Sequence, residues 1–242
     1  MITLLIKEIR SFLSSLIAII VIVVFLLAIG LFMWVFPDTN VLDYGYSNLD
    51  TLFSMAPWVF IFLISAITMR SFSEEKRMGT FESLVTKPIS DLQIVMAKYL
   101  AGLVLVMFSL IPTLVYYYTI YTLGAPEGNI DSGATIGSYI GLLLLGSCYI
   151  SIGLFASSVT ENQIIAFITS MFLCFFCFSA FEQISKLGIF SSIDYLLEWL
   201  GINYHYQSIS RGVLDTRDLV YFLSFTALFL GLTFKMAGRG KG

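Results

Sequence analysis

The sequence predicts an all-α membrane protein with six transmembrane helices, and three observations predict it. Apolar residues make up 58% of the 242 and charged residues 12%, whereas an ordinary soluble domain is roughly half apolar and about a quarter charged. So little charge cannot cover a water-facing surface. Six blocks carry no charged side chain: 11–37, 51–69, 99–126, 132–160, 162–181 and 219–234. All but the last reach the roughly 17–25 residues that a spanning helix needs. The last can extend past Lys235, whose long stem reaches the interface. Inside hydrocarbon every backbone N–H and C=O needs an internal partner, which makes these blocks helices. The basic residues are also unevenly placed. With six crossings and a cytoplasmic N-terminus, Lys7, Arg10, Arg70, Lys76, Arg77, Lys87, Lys98, Lys235, Arg239 and Lys241 lie inside. Of the 13 Lys and Arg, only Lys186, Arg211 and Arg217 then lie outside. Positive charge favours the cytoplasmic side, so both termini are expected there.

Residues 1–14 place Ile2, Leu5, Ile6, Ile9 and Leu13 against Thr3, Lys7, Arg10 and Ser14. That spacing suits an amphipathic helix in the membrane interface. The plain alternative is an extension of the first span. This first span, about 15–36, is expected to be retained, because its charge-free run outlasts a signal peptide and no small-residue cleavage site follows. The second span, 51–72, holds Pro57, and the third, 97–123, holds Pro112. Each proline removes a backbone donor and invites a kink. The fourth, 134–158, is preceded by Gly133 and carries Gly137 and Gly141 at steps of four. One helix face of small residues permits close packing, by default within the subunit. The fifth, 162–182, carries Cys174 and Cys177 among Leu173, Phe175, Phe176 and Phe178. That setting is packed or lipid-facing, not the electropositive, accessible site of a redox pair. With Cys148 the cysteines number three, and no disulfide framework is predicted. The sixth span, 216–237, starts beside Asp215 and Asp218, which suit the positive end of a helix. Residues 1–242 together read as one transmembrane domain.

Two hydrophilic segments carry further information. In 70–98, Gly79 breaks the helix leaving span two, Thr80 can cap a new one, and Pro88 ends it. Ser90 with Gln93 then forms a capping box for the run into span three. The short helix this predicts, about 80–86, is marginal in water alone. The rest of the subunit or a partner must hold it. A solvated loop that only sets topology is the alternative, and the length and organisation of the segment count against it. The outer segment, 182–218, is too long for a turn. Leu196, Leu197, Trp199 and Leu200 suit short helices that dip back toward the membrane. His205, the single histidine, sits among tyrosines and is expected to be packed or hydrogen-bonded. Glu182 is expected to cap or to be solvated at the edge of span five.

Several functions are disfavoured. No G-x-x-x-x-G-K-[ST] occurs, so the chain has no cradle for ATP phosphates. A single histidine is incompatible with H-E-x-x-H chemistry, and no metal site is predicted. The six charge-free blocks hold no aspartate for an intramembrane protease. No basic stripe suits nucleic acid. The chain itself is not expected to be an enzyme.

The string Glu75-Lys76-Arg77-Met78-Gly79-Thr80-Phe81-Glu82-Ser83-Leu84, followed by Pro88-Ile89-Ser90 and Lys98, resembles the signature of type-2 ABC transporter permeases. The stretch from Tyr204-His205-Tyr206 through Arg211-Gly212-Val213 to Arg217-Asp218-Leu219 is similar to that family's outer segment. Within the family, the chain resembles the permeases of bacterial gliding-motility transporters. The resemblance implies a cytoplasmic coupling helix in 70–98 that docks on a separate ATPase subunit, which binds ATP and Mg. Glu74, Glu75, Lys76, Arg77, Gly79, Thr80, Phe81, Glu82, Leu84 and Pro88 are the coupling residues it implies. It also implies re-entrant helices between spans five and six, a second permease, identical or related, no cofactor in this chain, and the bacterial inner membrane. Two other classes fit the residues alone. One is a membrane scaffold that recruits a cytoplasmic protein without transport. The other is a membrane-embedded enzyme, which requires polar groups facing one another within the spans.

Overall fold

The computed structural model describes residues 1–80, 90–186 and 194–238. Six helices are long and apolar enough to cross a membrane: Leu16–Trp34, Asp50–Arg77, Asp91–Leu123, Ser132–Val159, Gln163–Lys186 and Thr216–Gly238. No strand occurs among the described residues. The elements in order are α1 (Ile2–Leu13), α2 (Leu16–Trp34), α3 (Val41–Tyr44), α4 (Asp50–Thr68), α5 (Arg70–Arg77), α6 (Asp91–Leu110), α7 (Leu114–Leu123), α8 (Ser132–Val159), α9 (Gln163–Phe175), α10 (Phe181–Lys186), α11 (Asp194–Leu200), α12 (Ile202–Ile209) and α13 (Thr216–Gly238). Span two is α4 followed by α5. Span three is α6 and α7 joined by a 3-10 turn at Ile111–Thr113, and span five is α9 and α10 joined by a π-helical turn at Phe176–Ala180.

Local chemistry sets these boundaries. The extended backbone of Ser15, with ψ at 125°, separates α1 from α2 and rules out one continuous helix. Ser90 and Gln93 form the expected capping box at the start of α6. Asp131 accepts from the Ala134 amide at 2.9 Å to start α8, and Asn162 accepts from the Ile164 amide at 2.9 Å to start α9. Each side chain replaces a partner that the first helical turn lacks. Pro112 lies in the 3-10 turn, where its missing amide removes one bond from the helical ladder.

Span four is the centre of the bundle. Its apolar stretch is 78% buried, against 17% for span six. It packs on α4, α5, α6, α9 and α13. Between lipid-soluble helices the usual hydrophobic drive is absent, so close approach and hydrogen bonds supply the adhesion. Both are present here. Tyr99 on α6 meets Ser147 on α8 at 2.7 Å, and Ser147 meets Thr226 on α13 at 3.0 Å. Ser65 on α4 meets Ser170 on α9 at 2.8 Å. Span one instead packs through a narrow stripe of Phe25, Ile29 and Met33, leaving Leu16, Ile19, Val23 and Leu27 outward.

The bundle has two distinct ends. At one lie α1, α5, the start of α6 and the ends of α8 and α13. We call it the stem end. At the far end lie α3, the end of α7, α11 and α12. The far-end helices α11 and α12 occupy the segment where short helices are expected. Gly137 and Gly141 abut this layer. A Cβ at Gly137 would stand 2.7 Å from the Gly212 carbonyl oxygen, and one at Gly141 would collide with Ile209 of α12. Gly133 meets only Asp131.

Candidate functional site

The site grows out of the break at Met69, where span two ends its membrane helix and α5 begins. The Phe72 and Ser73 amides both donate to Ser157 Oγ on α8, at 3.0 and 3.1 Å. Ser157 Oγ in turn donates to the Met69 carbonyl at 3.0 Å. One side chain from span four thus serves three backbone groups at the start of α5. Approach this close requires a small residue nearby. A Cβ at Gly153, one turn before Ser157, would collide with Thr68. Further along, Lys76 Nζ donates to the Ser158 carbonyl. That carbonyl belongs to the last turn of α8, where unpaired carbonyls and the helix dipole favour a cation. Gly79 terminates the element with φ at +66°, a left-handed conformation that an L side chain rarely adopts.

The charges form a buried network. Lys98, 1% exposed, donates from Nζ to the Ser71 carbonyl at 2.6 Å. The same ammonium lies 2.9 Å from Glu75 Oε2, 3.5 Å from Glu8 Oε1 and 5.1 Å from the centre of the Phe72 ring. Lys7 approaches from the surface, 3.6 Å from Glu75 and 3.4 Å from Glu8. Two cations and two anions balance, which a buried ammonium requires. The network joins α1, α5 and α6. Next to it, Arg70 makes a two-pronged contact with Glu74, 2.8 Å on each prong, and reaches Ser15 Oγ at 3.4 Å. A cleft of about 800 Å3 separates α1 from this wall, lined by Leu4 and Phe12 on one side and by Ile67, Arg70 and Glu74 on the other.

Sequence reasoning expected Glu74, Glu75, Lys76 and Arg77 to face a partner. The structure turns the first three toward the subunit itself: Glu74 to Arg70, Glu75 to Lys98, and Lys76 to span four. Arg77, Met78, Gly79 and Thr80 are exposed, and the Thr80 hydroxyl donates back to the Glu75 carbonyl at 3.3 Å. Phe81, Glu82, Leu84 and Pro88, and with them nearly all of the expected helix 80–86, lie outside the described residues. Glu8 and Ser157 escaped the sequence reading. Glu8 had one signal, an acidic residue beside Lys7 in an otherwise amphipathic helix. Ser157 had none, since small hydroxyls are common in membrane helices.

The far end holds a second polar cluster. His205 is buried on α12, as expected of a packed histidine. Its Nδ1 lies 2.7 Å from Asp218 Oδ1, and its Nε2 lies 2.9 Å from the Trp199 carbonyl. The ring stacks on Tyr221 with centres 3.8 Å apart. Glu182 meets Lys186 at 2.5 Å and accepts from Asn203 of α12. These contacts fasten α12 to spans five and six.

Comparison with curated proteins finds no match. A family model described as an ABC-2 family transporter protein matches residues 36–235. The match runs from the end of span one through span six and includes the stem. Six apolar helices, a stem clamped to the central span and this match lead to one conclusion: the chain belongs to the ABC-2 family of transporter proteins and is a transmembrane permease subunit of an ABC transporter.

Proposed function

We propose that the chain is the permease of an export-type transporter of the bacterial inner membrane, with the stem end and both termini in the cytoplasm. Segment 70–98 docks on a separate ATPase subunit, which carries ATP and Mg. A second permease, identical or related, completes the path. The resemblance of the chain as a whole to the permeases of gliding-motility transporters supports a role in that process.

The observation that carries this reading is the clamping of α5. Ser157, Lys76 and Lys98 tie the base of the loop to spans three and four. A push on the exposed tip at Arg77–Thr80 therefore reaches the bundle without being absorbed by a slack loop. In this division Glu74, Glu75 and Lys76 set the posture of the stem. Arg77, Gly79, Thr80, Phe81, Glu82, Leu84 and Pro88 shape and present the docking surface. Exposed charges at such a rim contribute only about 0.2–1 kcal/mol each and act mainly on recognition.

Co-expression with a candidate ABC ATPase subunit from the same organism is the direct test. The wild-type chain is expected to copurify with that subunit and to support ATP hydrolysis. Gly79→Pro, which cannot hold a positive φ, together with Glu82→Ala, is expected to abolish the coupled activity. Failure of the wild-type pair to copurify defeats the proposal. Copurification without nucleotide-driven change favours the scaffold instead.

A further inference from the structure

Pro57 sits within α4 and has no amide hydrogen. The carbonyl four residues earlier, that of Phe53, therefore loses its helical partner. Phe53 is buried, and an unpaired carbonyl in an apolar membrane interior is costly. The Tyr206 hydroxyl fills the gap, donating to the Phe53 carbonyl at 2.7 Å from 153 residues downstream. Tyr206 is 3% exposed and lies on α12, outside span two altogether. Burial alone does not secure such a bond. Tyr149, also buried, has a hydroxyl without a hydrogen-bond partner among the described residues.

The post that carries Tyr206 is firmly set. Ile209 of α12 is seated on Gly141 of span four, the Ser210 carbonyl accepts from Ser138 at 2.8 Å, and His205 holds Asp218 of span six. Span two thus lacks one helical hydrogen bond at Pro57, with a pinned far end before it and the stem after it. We infer that Tyr206 is a positioning residue for transport: it pins the far half of span two to α12, so that displacement of the stem bends span two at Pro57 instead of sliding it. This inference rests on the permease reading above.

The test uses the complex of the full chain with its ATPase in lipid nanodiscs, which open both faces to the reagent. Cys177→Ser removes the half-buried native thiol, and Cys148 and Cys174 are buried. Reporters are Ser54→Cys on the exposed face of the far half and, separately, Met78→Cys at the stem. Labelling by a membrane-impermeant maleimide is compared with and without trapped nucleotide. With Tyr206 present, Met78→Cys is expected to respond to nucleotide and Ser54→Cys is not. With Tyr206→Phe, Ser54→Cys labelling becomes nucleotide-dependent by several-fold, and the melting temperature of the complex falls by roughly 2–10 °C. Adding Pro57→Ala restores an amide to the Phe53 carbonyl. It is expected to recover the melting temperature and to leave the Ser54→Cys response in place, because the pin is still missing.

A purely structural Tyr206 gives a different pattern, in which Ser54→Cys stays unresponsive or loses its response in the double variant. That result, or failure of Pro57→Ala to recover stability, overturns the inference and leaves the permease reading standing. Absence of any nucleotide response at Met78→Cys overturns the permease reading and the inference with it.

Discussion

Lys98 shows how a single residue commits a region. Its ammonium is 1% exposed and is held by Glu75, Glu8 and the Ser71 carbonyl. Removing one member of a buried charge group leaves the others uncompensated and costs about 3–5 kcal/mol. Lys98→Met is therefore expected to lower the melting temperature of the purified chain sharply. The triple change to Lys98→Met, Glu75→Gln and Glu8→Gln is expected to regain most of the loss, because the one charge left, on Lys7, is exposed to solvent. If the single and triple variants melt alike, the network is not the source of the effect. Ser157 acts through hydrogen bonds alone. Ser157→Ala takes a partner from the Phe72 and Ser73 amides, leaves the Met69 carbonyl to the Ser73 hydroxyl, and is expected to cost about 1–2 kcal/mol, read in the same melting experiment.

At the scale of elements, span four owes its central place to small residues. Gly153→Val places methyl groups where Thr68 already sits, so α4 and α5 must retreat from α8. The expected cost is about 1–3 kcal/mol. Thr68→Ala in the same chain makes room and is expected to recover part of it. An unchanged melting temperature in Gly153→Val contradicts the tight contact. Much of the element plan was legible in the sequence. Runs without charge mark the six spans, because the bilayer penalises charge wherever it occurs. The ending at Gly79 and the capping box at Ser90 and Gln93 were equally legible, since both are local chemistry. The partners of Glu75 and Asp218 were not. Glu75 looks like any loop carboxylate until α1 and α6 are folded against it, and Asp218 reads as a helix-start acid until His205 arrives from α12. Tertiary pairing of this kind leaves no periodic trace.

For the whole molecule, adhesion is concentrated around span four, whereas spans one and six touch the bundle along single faces. Stability is expected to follow that gradient. Hydrogen exchange should be slowest in the middle of α8 and faster in α2 and α13, since local opening is easiest where few buried contacts are lost. Comparable protection in all six spans counts against it. The expected orientation makes a further demand. A cysteine at Met78 is expected to react only from the cytoplasmic side, and one at Gln207 only from outside. The reverse pattern would invert the molecule and remove the ATPase from reach.

The cap on α5 bears on how the chain is made. Phe72 waits for Ser157, which is translated 85 residues later. During that interval the nascent chain already holds spans two and three in the bilayer, yet the polar base of the stem has no lid. Fragments that stop short of span four are therefore expected to be captured by insertion chaperones or membrane proteases.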